Sequence, residues 1–243
     1  MGKPLLVVDG ISKSFRGLRA VSNVSFGVDE GGIVGLIGPN GAGKTTCFNV
    51  IAGVFRPDSG QIRLGDKTLN GLRPDQICRA GVARTFQLVK PFKDLTVEEN
   101  VVVGALCAHD TVEQSRNASG EILMRLGLHA KRHQRASELT LPDRKRLEVA
   151  RALATQPTVL LLDEVMAGLR PTETDEMVAT FRQLNRDTGL TILLIEHVMR
   201  AVMALSQHIV VLHHGEKISE GTPEHVVRDQ AVLDCYLGEE VEI

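Results

Sequence analysis

Residues Gly38-Pro39-Asn40-Gly41-Ala42-Gly43-Lys44-Thr45 fit the pattern G-x-x-x-x-G-K-[ST], a spacing that builds a cradle for phosphate. Its glycines let successive backbone N–H groups turn inward, and a helix starting at the end of the loop aims its positive end at the same point. The lysine brings a cation to the β- and γ-phosphates, and the threonine hydroxyl is a ligand for Mg²⁺. The chemistry indicated is the binding of a nucleoside triphosphate. About 120 residues downstream, Val159-Leu160-Leu161-Leu162-Asp163-Glu164 is an apolar run that ends in two acids. An aspartate at the carboxyl end of a strand beside such a loop holds Mg²⁺ through water. The glutamate after it is placed to act as general base or to orient the attacking water. Alone, the acidic pair reads as a strand followed by an acidic turn, and the phosphate loop upstream gives it meaning. Gln87, in Thr85-Phe86-Gln87-Leu88, and His197, in Ile195-Glu196-His197, read by residue type alone as ordinary polar residues.

These groups need a scaffold that brings distant segments together. Residues 33–37 form a short apolar strand that enters the loop, and a helical pattern over 46–52 leaves it and stops at Gly53. Residues 158–162 and 191–195 read as buried strands, with a helical pattern over 173–186 between them. That alternation predicts a parallel sheet with crossover helices. Upstream, 5–11, 21–28 and 60–64 are β-rich and broken by turns. From about residue 88 to 154 the character is mostly helical, with candidate helices over 97–106 and 120–126. Residues 209–212 and 217–219, around His213-His214-Gly215, predict a closing hairpin. The fold class is therefore α/β: a nucleotide-binding core with a parallel sheet, an antiparallel N-terminal β layer and an inserted helical subdomain.

A chain of 243 residues holds one large domain, and no internal repeat, low-complexity tract or linker divides it. Its net charge of −2, from 24% charged residues of both signs, gives no electrostatic reason to expect nucleic acid as partner. The basic clusters Lys131-Arg132-His133 and Arg144-Lys145-Arg146 lack interleaved aromatics and read as solvated helix faces. Apolar stretches such as 101–108 fall short of the roughly 20 residues needed to cross a bilayer. The N-terminal apolar run is too short for the core of a signal peptide. Cys47, Cys78, Cys107 and Cys235 show no metal-type spacing and read as reduced thiols. The expectation is a soluble, intracellular protein.

Taken in this order, the elements resemble the ATP-binding cassette family over nearly the whole chain. The resemblance implies a P-loop NTPase core in residues 1–87 and 155–243, with 88–154 as the helical subdomain. It implies catalytic roles for Lys44, Gln87, Glu164 and His197, the last two handling the attacking water and the γ-phosphate. It places Phe15 on the adenine, and Gly38, Pro39, Asn40, Gly41, Ala42, Gly43, Lys44, Thr45 and Thr46 around the phosphates of ATP. Mg²⁺ falls to Thr45, Gln87 and Asp163. Leu139-Thr140-Leu141-Pro142-Asp143 stands where the family signature Leu-Ser-Gly-Gly-Gln belongs, and residues 144–153 match the helix after it. In the family two such subunits pair head to tail, and the signature of one closes on the ATP of the other. Pro142 replaces a glycine and has no N–H to donate, though it suits the first turn of a helix. A weaker lid over the partner's nucleotide is expected. Arg170, in Ala167-Gly168-Leu169-Arg170, stands where the family carries an aspartate.

The segments Phe15-Arg16-Gly17-Leu18-Arg19-Ala20-Val21, Arg84-Thr85-Phe86-Gln87 and Ile195-Glu196-His197 are similar to the ATPases of branched-chain amino-acid importers. So is the ending from Glu220-Gly221-Thr222-Pro223-Glu224 to Tyr236-Leu237-Gly238-Glu239. That similarity implies two transmembrane permease subunits, a second cassette ATPase as head-to-tail partner and a separate solute-binding protein. It implies no nucleic acid, and a cytoplasmic location peripheral to the inner face of the cell membrane. Phe92 and Leu95 are either part of the permease-docking surface or subdomain core. An ATPase of export or lipid transport, and an ATP-driven clamp on DNA or ribosomes, are the competing readings. The clamp would call for a long coiled-coil insertion or a second cassette, and neither is visible.

Overall fold

The computed structural model describes residues 4–86 and 90–237. Two long strands, β1 (Pro4–Phe15) and β2 (Leu18–Asp29), precede the short β3 (Ile33–Ile37). Helix α1 (Lys44–Ile51) leads to β4 (Ser59–Leu64), β5 (Lys67–Thr68), α2 (Pro74–Arg79) and β6 (Val82–Arg84). The α-helices α3 (Val97–Ala105), α4 (Val112–Arg125) and α5 (Leu141–Leu153) follow. The remainder alternates as β7 (Val159–Asp163), α6 (Pro171–Thr188), β8 (Thr191–Ile195), α7 (Met199–Leu205) and β9 (His208–His213). Strand β10 (Glu216–Gly221) and helices α8 (Pro223–Val226) and α9 (Gln230–Leu237) come last among the described residues.

Two sheets form, and the burial pattern of each strand shows why. In β1, Leu6 and Val8 are buried while Asp9 is exposed, the alternation of a strand with one covered face. It joins β2, β4 and β5 in an antiparallel sheet ordered β2-β1-β4-β5. By contrast β3, β7 and β8 are buried at every position, as central parallel strands covered on both faces must be. They lie within a six-stranded sheet ordered β10-β9-β3-β8-β7-β6, in which only β10 runs antiparallel. Successive side chains of one strand point to opposite faces, so Leu160 and Leu162 enter one core and Val159 and Leu161 the other. The first core packs against α3, α5 and α6 through Val101, Leu147 and Phe181. The second fills the space toward the antiparallel sheet with Val8, Ile11, Phe26 and Phe48.

Expected and observed elements agree most closely where apolar residues are continuous, as in β3 and β8. Helix α4 is longer than its pattern predicts and starts at Val112, where Thr111 caps it by accepting from Gln114 N at 3.2 Å. Its early buried positions are Ser115 and Ser119, whose hydroxyls donate back to Thr111 O and Ser115 O. A helix that buries serines shows no apolar stripe. Among the described residues no helix is long and apolar enough to cross a membrane.

Candidate nucleotide site

Strand β8 lies between β3 and β7, so the loops leaving the carboxyl ends of all three meet at one edge, the usual place for a ligand on an open α/β sheet. The loop after β3 needs its glycines for space as much as for conformation. A Cβ on Gly38, where φ is 144°, would fall 2.0 Å from Leu212 O, and one on Gly43, where φ is 100°, 2.5 Å from Ala20 O. Lys44 opens α1 and is buried, and its ammonium donates to Gly38 O at 2.6 Å and Pro39 O at 2.7 Å. The lysine thus closes the loop on itself and holds a cation at its centre. Asn40, Gly41, Ala42, Gly43, Lys44, Thr45 and Thr46 line a cavity of about 270 Å³, whose other walls are Ala20, Glu164 and His197.

The two acids after β7 occupy different positions. Asp163 is 1% exposed. Its Oδ2 accepts from Arg84 of β6 at 2.6 Å, and the same guanidinium donates to Asn49 of α1 at 2.6 Å. Oδ1 is buried and has no hydrogen-bond partner among the described residues. Asp163 and Thr45 share the wall of an adjoining cavity of about 450 Å³. One hydroxyl and one carboxylate with a spare buried oxygen fit Mg²⁺, which keeps several waters and needs few protein ligands. Glu164 adopts φ 50°, a left-handed conformation that costs a non-glycine residue about 1–3 kcal/mol. Its N–H donates to Ile195 O at 2.9 Å, and its Oε1 lies 2.8 Å from His197 Nε2. A carboxylate and an imidazole therefore face the mouth of the phosphate loop as a pair.

Most of the predicted residues converge. Lys44, Thr45, Thr46, Glu164 and His197 share one cavity, and Asp163 joins Thr45 in the next. Gly38 and Pro39 contribute carbonyls to Lys44 and do not line the cavity. Phe15 is not brought in. It ends β1 with 37% exposure, and its ring meets Phe55 edge-on at a centroid distance of 4.9 Å. Gln87 lies outside the described residues.

Three charged residues that residue patterns did not single out stand around the acids: Arg84, Lys145 and Glu196. The reading of Arg144-Lys145-Arg146 as a solvated face is wrong for Lys145, which is 6% exposed and donates to Glu164 O at 2.9 Å. Burial draws its pKa below the ordinary lysine value, opposed by the nearby Glu196 and Glu164. Glu196 is also buried, and its Oε1 accepts from Met166 N at 2.8 Å. Burial pushes its carboxyl from the ordinary 4.5 up to about 7. A raised carboxyl pKa in the folded state contributes stability that is complete below 4.5 and lost as the pH rises through 7, about 3 kcal/mol in all. Glu196→Gln is therefore expected to flatten the decline in melting temperature between pH 5 and 7.5. Parallel declines in both proteins would contradict this assignment.

Residues 21–167 match the family described as ABC transporter, and residues 216–242 match that described as branched-chain amino acid ATP-binding cassette transporter. The chain belongs to the ABC transporter family. The cassette is 43% identical to the high-affinity branched-chain amino acid transport ATP-binding protein LivG of Salmonella typhimurium, over 98% of this chain and 100% of that one. BraF of Pseudomonas aeruginosa, which carries the same description, is 39% identical with the same coverage. The lipopolysaccharide export system ATP-binding protein LptB of Acidithiobacillus ferridurans is 35% identical over 98% of this chain and 99% of its own. A solved ATP-binding cassette of an ABC transporter in its ADP conformation superposes with a TM-score of 0.88 at 30% identity, covering 97% of this chain and 99% of that one. The cassette is accordingly a nucleotide-binding ATPase.

The segment Leu139-Thr140-Leu141-Pro142-Asp143, expected to be the signature, leads directly into α5. Thr140 precedes the helix, and Pro142 stands in its first turn. The Thr140 hydroxyl donates to Asp143 Oδ2 at 2.8 Å, an oxygen that also takes the ammonium of Lys131. The threonine proton is thereby committed inside the chain. Leu141 is exposed beside it. Arg170, expected in the position of the family's aspartate, precedes α6 and pairs with Glu173 at 2.8 Å on the surface.

Proposed function

We propose that this cassette is the ATP-hydrolysing subunit of an importer of branched-chain or related amino acids, peripheral on the cytoplasmic face of the cell membrane. The observation that carries this reading is the match over residues 216–242, beyond the part shared with cassettes in general. Export has a relative on its side in LptB, and that C-terminal segment favours import. Residues 88–154 act as a helical subdomain on a core of 1–87 and 155–243.

ATP binds with its phosphates in the cavity of the glycine loop. Lys44 turns its ammonium from the carbonyls of Gly38 and Pro39 to the β- and γ-phosphate oxygens, and the first N–H groups of α1 face the same charge. Glu164 accepts a proton from a water whose oxygen attacks the γ-phosphorus as the bond to ADP breaks. His197, 2.8 Å from Glu164, orients that carboxylate and meets the γ-phosphate. Gln87 completes the set as a sensor of the γ-phosphate. Thr45 and Asp163 would hold Mg²⁺, and the ion would offset charge on the phosphate oxygens. Phe15 lies outside the phosphate cavity, and its exposed ring at the end of β1 supplies an aromatic face for the adenine.

Two permease subunits and a second cassette complete the transporter, and a solute-binding protein delivers the amino acid. A groove of about 330 Å³ between the core and the helices, lined by Val54, Ile77, Phe86 and Val103, accepts a permease segment. Phe92, exposed with Arg151 over its ring at 4.9 Å, extends that surface, while Leu95 is half-buried. Against the partner's nucleotide the signature is short of an N–H at Pro142. Pro142→Gly is expected to raise ATP turnover of the assembled transporter severalfold, by about 1 kcal/mol for one restored hydrogen bond. No change, or a loss, would count against the lid. The function itself is tested by affinity purification of this chain from solubilised native membranes. Two permeases and a second cassette are expected, whereas DNA or ribosomes without a membrane protein would overturn transport.

A further inference from the structure

We propose that Lys145 is a positioning residue for Glu164: from the second turn of α5 its ammonium holds the Glu164 carbonyl and, with Glu196, fixes the turn on which the attacking water is activated. The proposal rests on the assignment of Glu164 as general base. Three contacts define the brace. Lys145 Nζ donates to Glu164 O at 2.9 Å. That same carbonyl accepts from Ala167 N at 3.2 Å, closing the turn after β7. Met166 N, inside the turn, donates to Glu196 Oε1 at 2.8 Å. The turn is thus gripped from α5 on one side and from the end of β8 on the other.

The brace reaches both members of the Glu164–His197 pair. Lys145 acts on the backbone of Glu164, and Glu196 is the residue directly before His197. The pair's 2.8 Å contact depends on the relative position of two loops; Glu196 joins those loops beneath it, and Lys145 ties the first of them to α5. Glu164 also sits at φ 50°, a conformation that persists only where the surroundings enforce it. An ammonium on its carbonyl and an anchored N–H two residues on are such surroundings. Burying a lysine is costly in itself. Lys145 faces Glu148, Asp163, Glu164 and Glu196, so four acids oppose that cost. Because Lys145 belongs to the helix that follows the signature, the seating of α5 sets the orientation of this cassette's own base.

The test measures kcat and KM for ATP in the assembled transporter carrying Lys145→Met, Lys145→Arg, Glu164→Gln, or Lys145→Met with Glu164→Gln. Melting temperature and nucleotide affinity are recorded for each. Lys145→Met is expected to lower kcat by about tenfold to a hundredfold, the scale of a misplaced catalytic group, with KM and melting temperature nearly unchanged. Arginine at the same place restores most of the rate, and the double variant is no slower than Glu164→Gln alone. Full turnover by Lys145→Met beside an inactive Glu164→Gln overturns the brace and leaves the base in place. A rate that falls only together with melting temperature, with no rescue by arginine, also overturns it in favour of a packing role. Turnover retained by Glu164→Gln removes the base assignment, and the brace with it.

Discussion

Glu164→Gln is expected to lower ATP turnover by about a hundredfold to ten-thousandfold while ATP still binds, because a general base contributes on that scale to the chemical step alone. The substitution keeps the shape of the side chain and its place beside His197, 2.8 Å away, but the amide cannot take up a proton. The bonds that hold Lys44 to Gly38 O and Pro39 O do not pass through the Glu164 carboxylate, so the loop keeps its cation. A nucleotide-binding titration and a phosphate-release assay on the assembled transporter separate the two quantities. Substantial residual hydrolysis would show that another group activates the water.

Lys44→Ala has the opposite signature: ATP affinity falls about tenfold to a hundredfold or more, as expected for losing hydrogen bonds to a charged group worth about 1.5–3 kcal/mol. Two losses combine. The phosphates lose a cation, and the carbonyls of Gly38 and Pro39 lose the ammonium that draws the loop together at 2.6 and 2.7 Å. Direct titration with ATP checks the value, and tight binding by this variant would contradict the role given to the lysine. Together the two variants divide the site into a part that binds and a part that reacts.

Much of that site can be read from residue order, because its parts are contiguous and local. The phosphate loop is one octapeptide in which backbone conformation and ligand groups are encoded together. Strands β3 and β8 have the bounds that their apolar runs predict, since a strand buried on both faces must be apolar throughout. Asp163 and Glu164 gain meaning from the strand in front of them. Where burial is polar, the local signal fails. Helix α4 hides serines and so shows no stripe, and the three residues of β6 are too few for a period to emerge.

The α/β class, the phosphate loop and the acids that serve it are legible in residue order, because periodicity and short motifs are properties of neighbouring residues. Which charges are buried around those acids follows from packing between distant segments. Arg84, which clamps one oxygen of Asp163, is 79 residues away from it in the chain, and Lys145 is 19 from the carbonyl it holds. Lys145 is the middle one of three consecutive basic residues, and a lysine in a basic run reads as solvated. Its burial is imposed by where α5 meets the turn after β7. That placement depends on the packing of Leu147 and Val149 against the sheet, a contact that no local pattern encodes.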